Sequence, residues 1–600
     1  MQTESALRTQ ADRLKLEVQS LRQQQGSDLI SIGEYILKRF EQLHVTAMFG
    51  LPGDFNLGFL DLVEDNPNIE WIGNCNELNS SYAADGYARV KEQSLGVLLT
   101  TYGVGELSAF NGIAGSYAEM VPVLHLVGAP STTQVAAKPM LHHTLGDGRF
   151  DAYGKAFEQI TAYWGDIVDK ETAAQVIDTT ITMSIVKARP TYLTLPTNMV
   201  FEKISSARLA IPLSSNAPPN DPEVESQVID EIAKQFARVQ GDAIVLVDAC
   251  AVRHHVRDEL NEFVRAIGLP VYSTPQGKSV IDEDYERYGG IYIGSISQPE
   301  IRERVESAKL VLSVGALRSD YNTGNFTYGI PVARVVELHS DHTKIGHAVY
   351  PKIGMKELIP KLTPRLLSIS AAARRLPVAK FVAPVPDEDG PVVSQAWFWP
   401  KMGTFFRPRD VIVAETGTAS FGIVNIPFPR QSTYVSQILW GSIGYSVGAT
   451  LGCLLAARDR GLGRTLLFVG DGSMQLTVQE LSSMIRWQHT LSQDTIIFLL
   501  NNDGYTIERF LHGRERRYND ILNWEWSSLL KTLGDPKEER TVTYKAATKE
   551  ELSALLEGPL ATSHGGKIIM VEVIMDKYDA PQTLANQAAL SGKTNAYAPS

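Results

Sequence analysis

Cysteine is scarce in this chain of 600 residues, and its scarcity limits the kinds of fold and site that are possible. The three cysteines, Cys75, Cys250 and Cys453, lie far apart in the sequence. They are too few for a disulfide framework and too scattered for a zinc motif. This cysteine usage predicts a reducing compartment, and we expect a cytoplasmic protein.

An excess of basic charge is also missing. The chain has 56 lysine and arginine residues against 68 aspartate and glutamate residues, which gives a net charge of -12. A nucleic-acid-binding protein needs a basic surface to neutralise phosphates, so we expect no nucleic-acid partner. The hydrophobic content of 44% and charged content of 21% are typical of a globular protein with a sizeable core.

Long apolar runs are almost absent. One run of about twenty residues, 438–457, carries no charge, and Gly444, Gly448 and Gly452 recur in it at a spacing that lets helices pack closely. Because the run also contains many small and polar residues, we predict a buried helix and no membrane span. The amino terminus has acidic residues and no apolar core, so we expect neither a secretory signal nor a transit peptide.

Apolar runs that alternate with helix-like stretches predict an α/β fold of three domains, each with a mainly parallel sheet covered by helices. Proline-rich polar segments at 213–222 and 377–391 separate the blocks. The amino-terminal segment has a heptad of Leu7, Leu14 and Leu21, which leaves self-association open. The predicted divisions are an amino-terminal extension at 1–27, domains at 28–212, 223–376 and 392–580, and a tail at 581–600.

The predicted strands are the apolar runs themselves. They occupy residues 46–49, 69–72, 96–100, 123–127 and 191–195 in the first block, 243–247, 310–314 and 334–338 in the second, and 411–414, 465–469, 495–500 and 567–573 in the third.

Two polar motifs follow neighbouring strands of the third block. The first strand leads into Gly470-Asp471-Gly472-Ser473, and the next leads into Asn502-Asp503-Gly504. Glycines let the backbone approach a ligand closely, and carboxylate, amide and carbonyl oxygens suit Mg²⁺. Each motif alone is equally typical of an ordinary turn. Together, at the carboxyl ends of two strands, they indicate a site for a metal-bound diphosphate.

The first block contributes acids and histidines. Asp54 lies on a turn after a strand, Glu77 opens a helix-like stretch, and His142 and His143 stand side by side in a polar loop. Taken singly, each acid is as well explained as a helix cap or a surface residue. Loops are also where catalytic groups are often held. Because adjacent side chains of an extended loop point in opposite directions, we expect one histidine, His143, to face a substrate.

These motifs together resemble the pyruvate decarboxylase family of thiamine diphosphate enzymes, from about residue 28 to the carboxyl-terminal tail. Only a short insertion at 492–495 departs from the family pattern within this range, and it leaves the candidate ligands intact. The motifs that carry the resemblance are Gly-Leu-Pro-Gly-Asp at 50–54, Asn-Glu-Leu-Asn at 76–79, Gly-Val-Gly-Glu at 103–106, His-His-Thr-Leu-Gly at 142–146, Glu-Thr-Gly-Thr at 415–418, Trp-Gly-Ser-Ile-Gly at 440–444, and Asn-Asp-Gly-Tyr-Thr-Ile-Glu at 502–508.

The resemblance implies thiamine diphosphate and Mg²⁺ as cofactors. The metal would be held by Asp471, Asn502 and the carbonyl of Gly504. The implied cofactor-binding residues are Glu77, Thr416, Thr418, Gly441, Ile443, Asp471, Gly472, Ser473, Asn502 and Ile507.

The resemblance also implies a reaction, the non-oxidative decarboxylation of pyruvate to acetaldehyde and carbon dioxide in alcoholic fermentation, through a carbanion and an enamine of the cofactor. The implied catalytic residues are Glu77, Asp54, His142, His143 and Glu508. Two alternatives stay open: a decarboxylase of a bulkier 2-oxo acid such as indolepyruvate or phenylpyruvate, and a non-catalytic relative that senses the cofactor or forms assemblies. The second alternative predicts loss of Glu77, Asp471 or the histidines, and the chain retains all of them.

In this family the residues that match Glu77 and Asp471 come from different subunits. The resemblance therefore implies a homo-oligomer, at least a dimer, and a tetramer is common. The middle block lacks a dinucleotide fingerprint, so no NAD or FAD is expected. Cys250 matches a position linked to substrate activation in some relatives, although a buried, inert thiol explains it equally simply. His339, His342 and His347 form no closed set of metal ligands, and we assign them to a loop.

Overall fold

The computed structural model describes residues 28–215 and 217–595, which form two compact units. The first unit contains the described residues up to Ala217 together with Gly448–Arg460. The second unit contains Pro218–Val447 and the described residues from Gly461 onward. The predicted amino-terminal extension, with its heptad leucines, lies outside the described residues, as do residues 596–600 of the predicted tail.

The first unit is built on a six-stranded sheet in which every neighbouring pair of strands is parallel. In spatial order the strands are Glu70–Gly73, Ala47–Gly50, Gly96–Thr101, Val123–Ala129, Thr191–Pro196 and Trp164–Asp166, and Leu29–Ser31 pairs separately with Lys203–Ser205. The helices are Ile32–Gln42, Leu57–Glu64, Glu77–Lys91, Val104–Ser108, Phe110–Ala118, Thr132–Ala137, Ala152–Glu158 and Lys170–Lys187. The central strands are buried on both faces, which is why their sequences are mainly apolar, with Thr100, Thr101 and His125 as buried polar residues among them.

The second unit contains two further sheets. The seven-stranded sheet has the order Tyr288–Ile291, Val271–Ser273, Ala243–Val247, Leu310–Val314, Val335–Leu338, His342–Ile345 and Ala348–Pro351, and only the last two strands join antiparallel. Its helices are Pro222–Arg238, Cys250–Arg253, Arg257–Ile267, Pro299–Ser307 and Met355–Leu367. Asp221 caps the first of these helices by accepting from the backbone N–H groups of Glu223 and Val224.

The six-stranded sheet of the second unit is entirely parallel. Its strand order is Thr433–Val435, Val411–Ala414, Thr465–Gly470, Thr495–Asn501, Ile568–Ile574 and Thr541–Ala546. Its helices are Gln395–Phe405, Thr418–Gly422, Asp471–Thr477, Glu480–Trp487, Thr506–Leu511, Leu529–Thr532, Lys549–Glu557 and Gln582–Thr594. Helix Tyr445–Arg460 begins in this unit, and its residues from Gly448 onward belong to the first unit. The predicted α/β class, with mainly parallel sheets covered by helices, is confirmed.

The helix predicted over the charge-free run 438–457 begins later than expected. The charge-free run 438–457 is not one helix, since helix Tyr445–Arg460 begins only after Gly441 and Gly444, whose φ values of 63° and 89° interrupt a right-handed helix. Within the first unit, a Cβ on Gly452 would overlap the Ala83 carbonyl, so the predicted close packing is present. In the described part of the chain, no helix is both long and apolar enough to cross a membrane.

The predicted tail contains regular structure. Helix Gln582–Thr594 belongs to the second unit, and the Thr583 hydroxyl donates a 2.7 Å hydrogen bond to the Phe421 carbonyl. This helix therefore packs beside the segment that follows Val411–Ala414.

Candidate active site

The two polar motifs of the second unit lie at adjacent strand ends, as the sequence predicted. Strand Thr465–Gly470 is the parallel neighbour of Thr495–Asn501, and Asp471 and Asn502 are the first residues after these strands. Asp471 Oδ1 accepts from the Gly472 N–H at 2.8 Å, and Oδ2 accepts from the Gly504 N–H at 3.3 Å. Two consecutive strands thus deliver a carboxylate, an amide and a carbonyl to one point.

The Asn502 amide shows what this point is suited to bind. Its nitrogen donates to the Thr506 hydroxyl at 2.8 Å, and that hydroxyl donates its own proton to the Lys577 carbonyl at 3.2 Å. This arrangement turns the amide oxygen toward two other acceptors, Asp471 Oδ1 at 3.0 Å and the Gly504 carbonyl oxygen at 3.1 Å. With the amide rotated, its nitrogen would donate to Asp471 Oδ1 and to the Gly504 carbonyl, and its oxygen would accept from the Thr506 hydroxyl. With the amide oxygen turned inward, three oxygens face one point, and these fit a hard divalent cation.

Electrostatics at the site are consistent with a bound cation. Burial raises the pKa of Asp471 to about 6, although the Gly472 and Gly504 N–H groups favour its ionised form. A cation would favour the carboxylate and lower this pKa again.

The wall of the same cavity contains the other predicted cofactor-binding residues of this unit. Burial raises the pKa of Glu508, and its Oε2 atom is buried with no hydrogen-bond partner among the described residues. The Thr416 hydroxyl donates to the Gln437 carbonyl at 2.7 Å, so its proton is already committed to the backbone. The cavity is lined by residues that include Thr416, Thr418, Ile443, Asp471, Gly472, Ser473, Asn502, Gly504, Ile507 and Glu508. Gly441 precedes Ile443 on a turn with φ 63°.

A buried glutamate that the sequence reasoning did not single out fixes this cavity wall. Glu415 accepts from the Thr416 N–H at 3.0 Å and from the Ser446 hydroxyl at 2.6 Å. Burial raises its pKa to about 7. Glu415 therefore ties the turn that carries Thr416 to the start of helix Tyr445–Arg460. The Glu-Thr-Gly-Thr motif contained this signal, since an acid directly after a buried strand needs partners.

In the first unit, Glu77 is the first residue of helix Glu77–Lys91, whose cap is the Asn76 side chain accepting from the Leu78 N–H. Its side chain is half-buried, and burial raises its pKa. A Cβ on Gly105 would lie 2.9 Å from Glu77 Oε1, so glycine at this position gives the carboxylate its space.

Asp54, His142 and His143 form a second group in the first unit. The His142 Nε2 and Asp54 Oδ2 atoms are 2.7 Å apart, and the Phe55 ring stacks on His142 with centroids 5.1 Å apart. Asp54 does not cap the following helix, because the cap position of Leu57–Glu64 is Asn56.

The expectation that the two histidines point in opposite directions is wrong. His143 has a φ of 62°, so the loop is not extended there, and the two rings meet edge to face with centroids 4.6 Å apart. One ligand atom from each of Asp54, His142 and His143 lies within 4.8 Å of the other two. Both histidines therefore share the space beside Asp54.

A second buried glutamate, Glu106, supports the loop that carries His142 and His143. Its carboxylate accepts from the Gly103 N–H at 2.7 Å and from the Tyr192 hydroxyl at 2.7 Å. Gly103 has φ 71° and packs against the His143 carbonyl, which also accepts from the Tyr153 hydroxyl at 2.9 Å. Burial raises the pKa of Glu106 to about 7 from its ordinary value of 4.5.

Glu106 gives a testable pH dependence. The pKa of Glu106 is about 7 in the folded protein and about 4.5 in the unfolded chain, so folding favours the protonated carboxyl group. The contribution of Glu106 to the free energy of unfolding is therefore fully present below pH 4.5. It is lost as the pH rises through about 7, by roughly 3 kcal/mol in all. Glu106→Gln keeps both hydrogen bonds, since the amide accepts from Gly103 and donates to Tyr192, but it carries no charge. We expect the urea midpoint of the cofactor-free variant to exceed that of the wild type at about pH 8 and to change less with pH. Glu106→Ala, which leaves both partners unsatisfied, should be less stable at every pH. An unchanged pH dependence in Glu106→Gln would contradict this assignment.

The remaining candidates of the middle block do not form a site. His339 and His342 lie near Asp341, but their rings stack with an interplanar angle of 11° and centroids 5.1 Å apart. Ring-nitrogen lone pairs lie in the ring planes, so these do not converge on one ion. Cys250 is buried at the start of the short helix Cys250–Arg253.

Comparison with known proteins identifies the class of protein. Three sequence models match: the thiamine pyrophosphate enzyme N-terminal TPP binding domain at residues 30–152, the central domain at 229–363 and the C-terminal TPP binding domain at 415–565. The chain therefore belongs to the thiamine pyrophosphate enzyme family, and the predicted thiamine diphosphate cofactor is confirmed.

The similar proteins that match over nearly their full length are pyruvate decarboxylases. The chain is 45% identical to the pyruvate decarboxylase of Candida albicans and 44% identical to pyruvate decarboxylase isozyme 1 of Saccharomyces cerevisiae, over 94% of this chain and 99% of each relative. It is 42% identical to the pyruvate decarboxylase of Aspergillus fumigatus over 94% of this chain and 98% of that relative. The resemblance predicted from the motifs is confirmed.

Proposed function

We propose that this protein catalyses the non-oxidative decarboxylation of pyruvate to acetaldehyde and carbon dioxide, the reaction of alcoholic fermentation, with Mg²⁺ beside thiamine diphosphate. The observation that carries the proposal is the convergence of the Asn502 amide, the Asp471 carboxylate and the Gly504 carbonyl at one point, in a chain similar to pyruvate decarboxylases along its length. We also propose a cytoplasmic location and keep the predicted domain boundaries at 28–212, 223–376 and 392–580.

Each group of residues has a proposed task. Asp471, Asn502 and Gly504 would hold Mg²⁺, and Thr418, Gly472 and Ser473 would contact the diphosphate. Thr416 fits this task only as an acceptor, given its bond to Gln437. Gly441, Ile443 and Ile507 would contact the rings, and Glu77 would hold the aminopyrimidine through its proton. When bound, the cofactor supplies an electron sink for the bond that breaks as carbon dioxide leaves.

Four side chains would handle the protons of the substrate. Asp54, His142 and His143 lie together in the first unit, whereas Glu508 lines the cavity of the second. The pKa of Glu508, raised by burial, lets it hold a proton closer to neutral pH than an ordinary glutamate does.

A small cavity that shares Thr416 with the cofactor cavity supports a substrate with a small side chain. It has a volume of about 20 Å³ and is lined by residues that include Thr416, Ser420, Phe421 and Tyr321, whose ring meets Phe421 edge-on with centroids 5.6 Å apart. A cavity that accepts benzene measures about 150 Å³, so this one favours the methyl group of pyruvate over a phenyl ring.

Carbon dioxide release from pyruvate and phenylpyruvate tests the proposal. With thiamine diphosphate and Mg²⁺ present, we expect kcat/KM for pyruvate to exceed that for phenylpyruvate at least about tenfold, a difference of about 1.4 kcal/mol. Tyr321→Ala should narrow this ratio because it enlarges the cavity. If the wild type prefers phenylpyruvate, the alternative of a bulkier 2-oxo acid is favoured. If no 2-oxo acid gives carbon dioxide, the proposed enzymatic function is wrong.

We further propose a homo-oligomer, a tetramer built from dimers, whose sites combine Glu77 of one subunit with Asp471 of another. Sedimentation measures the assembly, and mixing two inactive variants tests the shared site. If the sites cross subunits, a mixed dimer of Glu77→Gln and Asp471→Asn chains contains one intact site, so activity should reappear after joint refolding. If each site lies within one subunit, every site stays defective and no activity returns.

A further inference from the structure

A separate cavity of about 190 Å³ lies on one face of the seven-stranded sheet of the second unit. Its floor is formed by four adjacent strands, Ala243–Val247, Leu310–Val314, Val335–Leu338 and His342–Ile345. None of its lining residues belongs to the cavity that contains Asp471. The proposed function therefore leaves it without a role.

Strand register divides the floor into a polar row and an apolar row. Ser313 pairs with Glu337, and Glu337 pairs with Lys344, so these three side chains cross the sheet in one line. Two residues earlier on the same strands, Val311 pairs with Val335. Side chains two residues apart share a face of a strand, so both rows face the cavity. The polar row lies near the carboxyl ends of the parallel strands, where ligands of open α/β sheets bind.

The roof of the cavity is apolar with one cation. Tyr328, Ile330 and Val332 alternate along the chain and line the cavity together, and Val332 begins the short 3-10 helix Val332–Arg334. Arg318 lies at the polar end, with its guanidinium 2.8 Å from Glu337. The cavity therefore has an apolar end between Val311, Val335 and the roof, and a charged end around Glu337.

The charged end has one more cation than it has anions. The Glu337 side chain is only 10% exposed and contacts both Arg318 and Lys344 at 2.8 Å, while these cations are 47% and 40% exposed. Burial acts to raise the pKa of Glu337, but the hydrogen bond from Lys344 and the charge of Arg318 outweigh it and lower the pKa. Glu337 is thus ionised, and one positive charge with spare N–H donors is left over.

We propose that this cavity binds a small monocarboxylate that carries an aromatic or branched apolar group. Its carboxylate would lie against Arg318 and Lys344, because a guanidinium matches the geometry of a carboxylate and one negative charge balances the surplus. Its apolar group would lie between Val311, Val335 and Ile330. The volume is adequate, since a cavity of about 150 Å³ accepts benzene.

Titration of the holoenzyme with 4-fluorophenylacetate, followed by ¹⁹F NMR and calorimetry, tests the proposal. We expect saturable binding that weakens at least about tenfold for the neutral 4-fluorophenylacetamide. Arg318→Gln and Lys344→Gln should each weaken carboxylate binding by a similar factor, and Val335→Phe should abolish it by filling the apolar end. Lys309→Gln is the matched control, because Lys309 is 67% exposed, lies outside the cavity and should leave binding unchanged.

Hydrogen exchange locates the bound probe. Protection should increase in strands Leu310–Val314 and Val335–Leu338 and should not increase in Arg318→Gln. Decarboxylation of pyruvate is measured in parallel with probe binding. Because the substituted residues lie outside the proposed active site, a change in probe binding is then distinguished from a failure of the proposed function. Absence of saturable binding, equal binding of the amide, or binding that Arg318→Gln and Lys344→Gln both leave intact would each overturn the proposal. Thermal unfolding shows whether Val335→Phe is folded, and the two glutamine variants decide the matter if it is not.

Discussion

Glu77→Gln is expected to retain metal-dependent cofactor binding while losing about 10²- to 10⁴-fold in turnover, the usual contribution of a positioned acid or base. The substitution preserves the size and hydrogen-bonding capacity of the side chain and removes only its exchangeable acid proton. Burial raises the pKa of Glu77, and Gly105 leaves room beside Oε1, so the carboxyl group holds its proton to a higher pH than an ordinary glutamate does. Steady-state carbon dioxide release measures turnover, and calorimetric titration with thiamine diphosphate measures binding.

The matched control for this variant is Glu64→Gln. Glu64 ends helix Leu57–Glu64 of the same unit and is exposed, so its substitution should leave turnover and binding unchanged. Near-normal turnover in Glu77→Gln would remove Glu77 from the proposed role. If cofactor affinity and turnover fall by the same factor, Glu77 instead acts only in binding the cofactor.

The second large effect is expected at Asp471. Asp471→Asn should weaken Mg²⁺-dependent binding of thiamine diphosphate at least about 100-fold, since altering even the outer partners of metal ligands costs 10- to 100-fold. An amide offers the cation a neutral oxygen where a carboxylate offered a charge. Calorimetric titration at fixed cofactor and varied Mg²⁺ measures the effect without reference to activity, and thermal unfolding of the cofactor-free variant checks its fold.

The pH dependence of metal binding adds a second test of Asp471. Since the pKa of its buried carboxyl is about 6 in the free protein, protons should compete with Mg²⁺ and weaken binding as the pH falls through this value. Asp471→Asn should lose this dependence. Glu557→Gln is the control, because Glu557 is exposed at the end of helix Lys549–Glu557 of the same unit and does not line the cavity. Equal weakening in both variants would show that Asp471 has no special role.

The strands and the metal motifs could be predicted from the sequence because the information in each is local. The runs 243–247, 310–314 and 411–414 coincide with observed strands, since a strand buried on both faces is mainly apolar. Asp471 and Asn502 were placed together because the carboxyl ends of adjacent parallel strands meet at one edge of a sheet. The resemblance then assigned these residues to thiamine diphosphate.

Other features of the site depended on backbone angles and burial, which no short pattern encodes. The two histidines share one space because His143 adopts a positive φ, which the sequence-based expectation of an extended loop did not anticipate. Helix Tyr445–Arg460 begins late because Gly441 and Gly444 take positive φ values. Glu106 and Glu415 acquire a pKa of about 7 through burial, and neither was identified from the sequence.

The sequence by itself determined the fold class, the cofactor and the identity of the residues at the strand ends. Tertiary structure alone decided how those residues face one another. The Asn502 amide lies against Asp471 and the Gly504 carbonyl, and the row from Ser313 to Lys344 exists only through strand register. Periodicity and composition report which residues are buried in an element, whereas a site depends on contacts between elements that are distant in the chain.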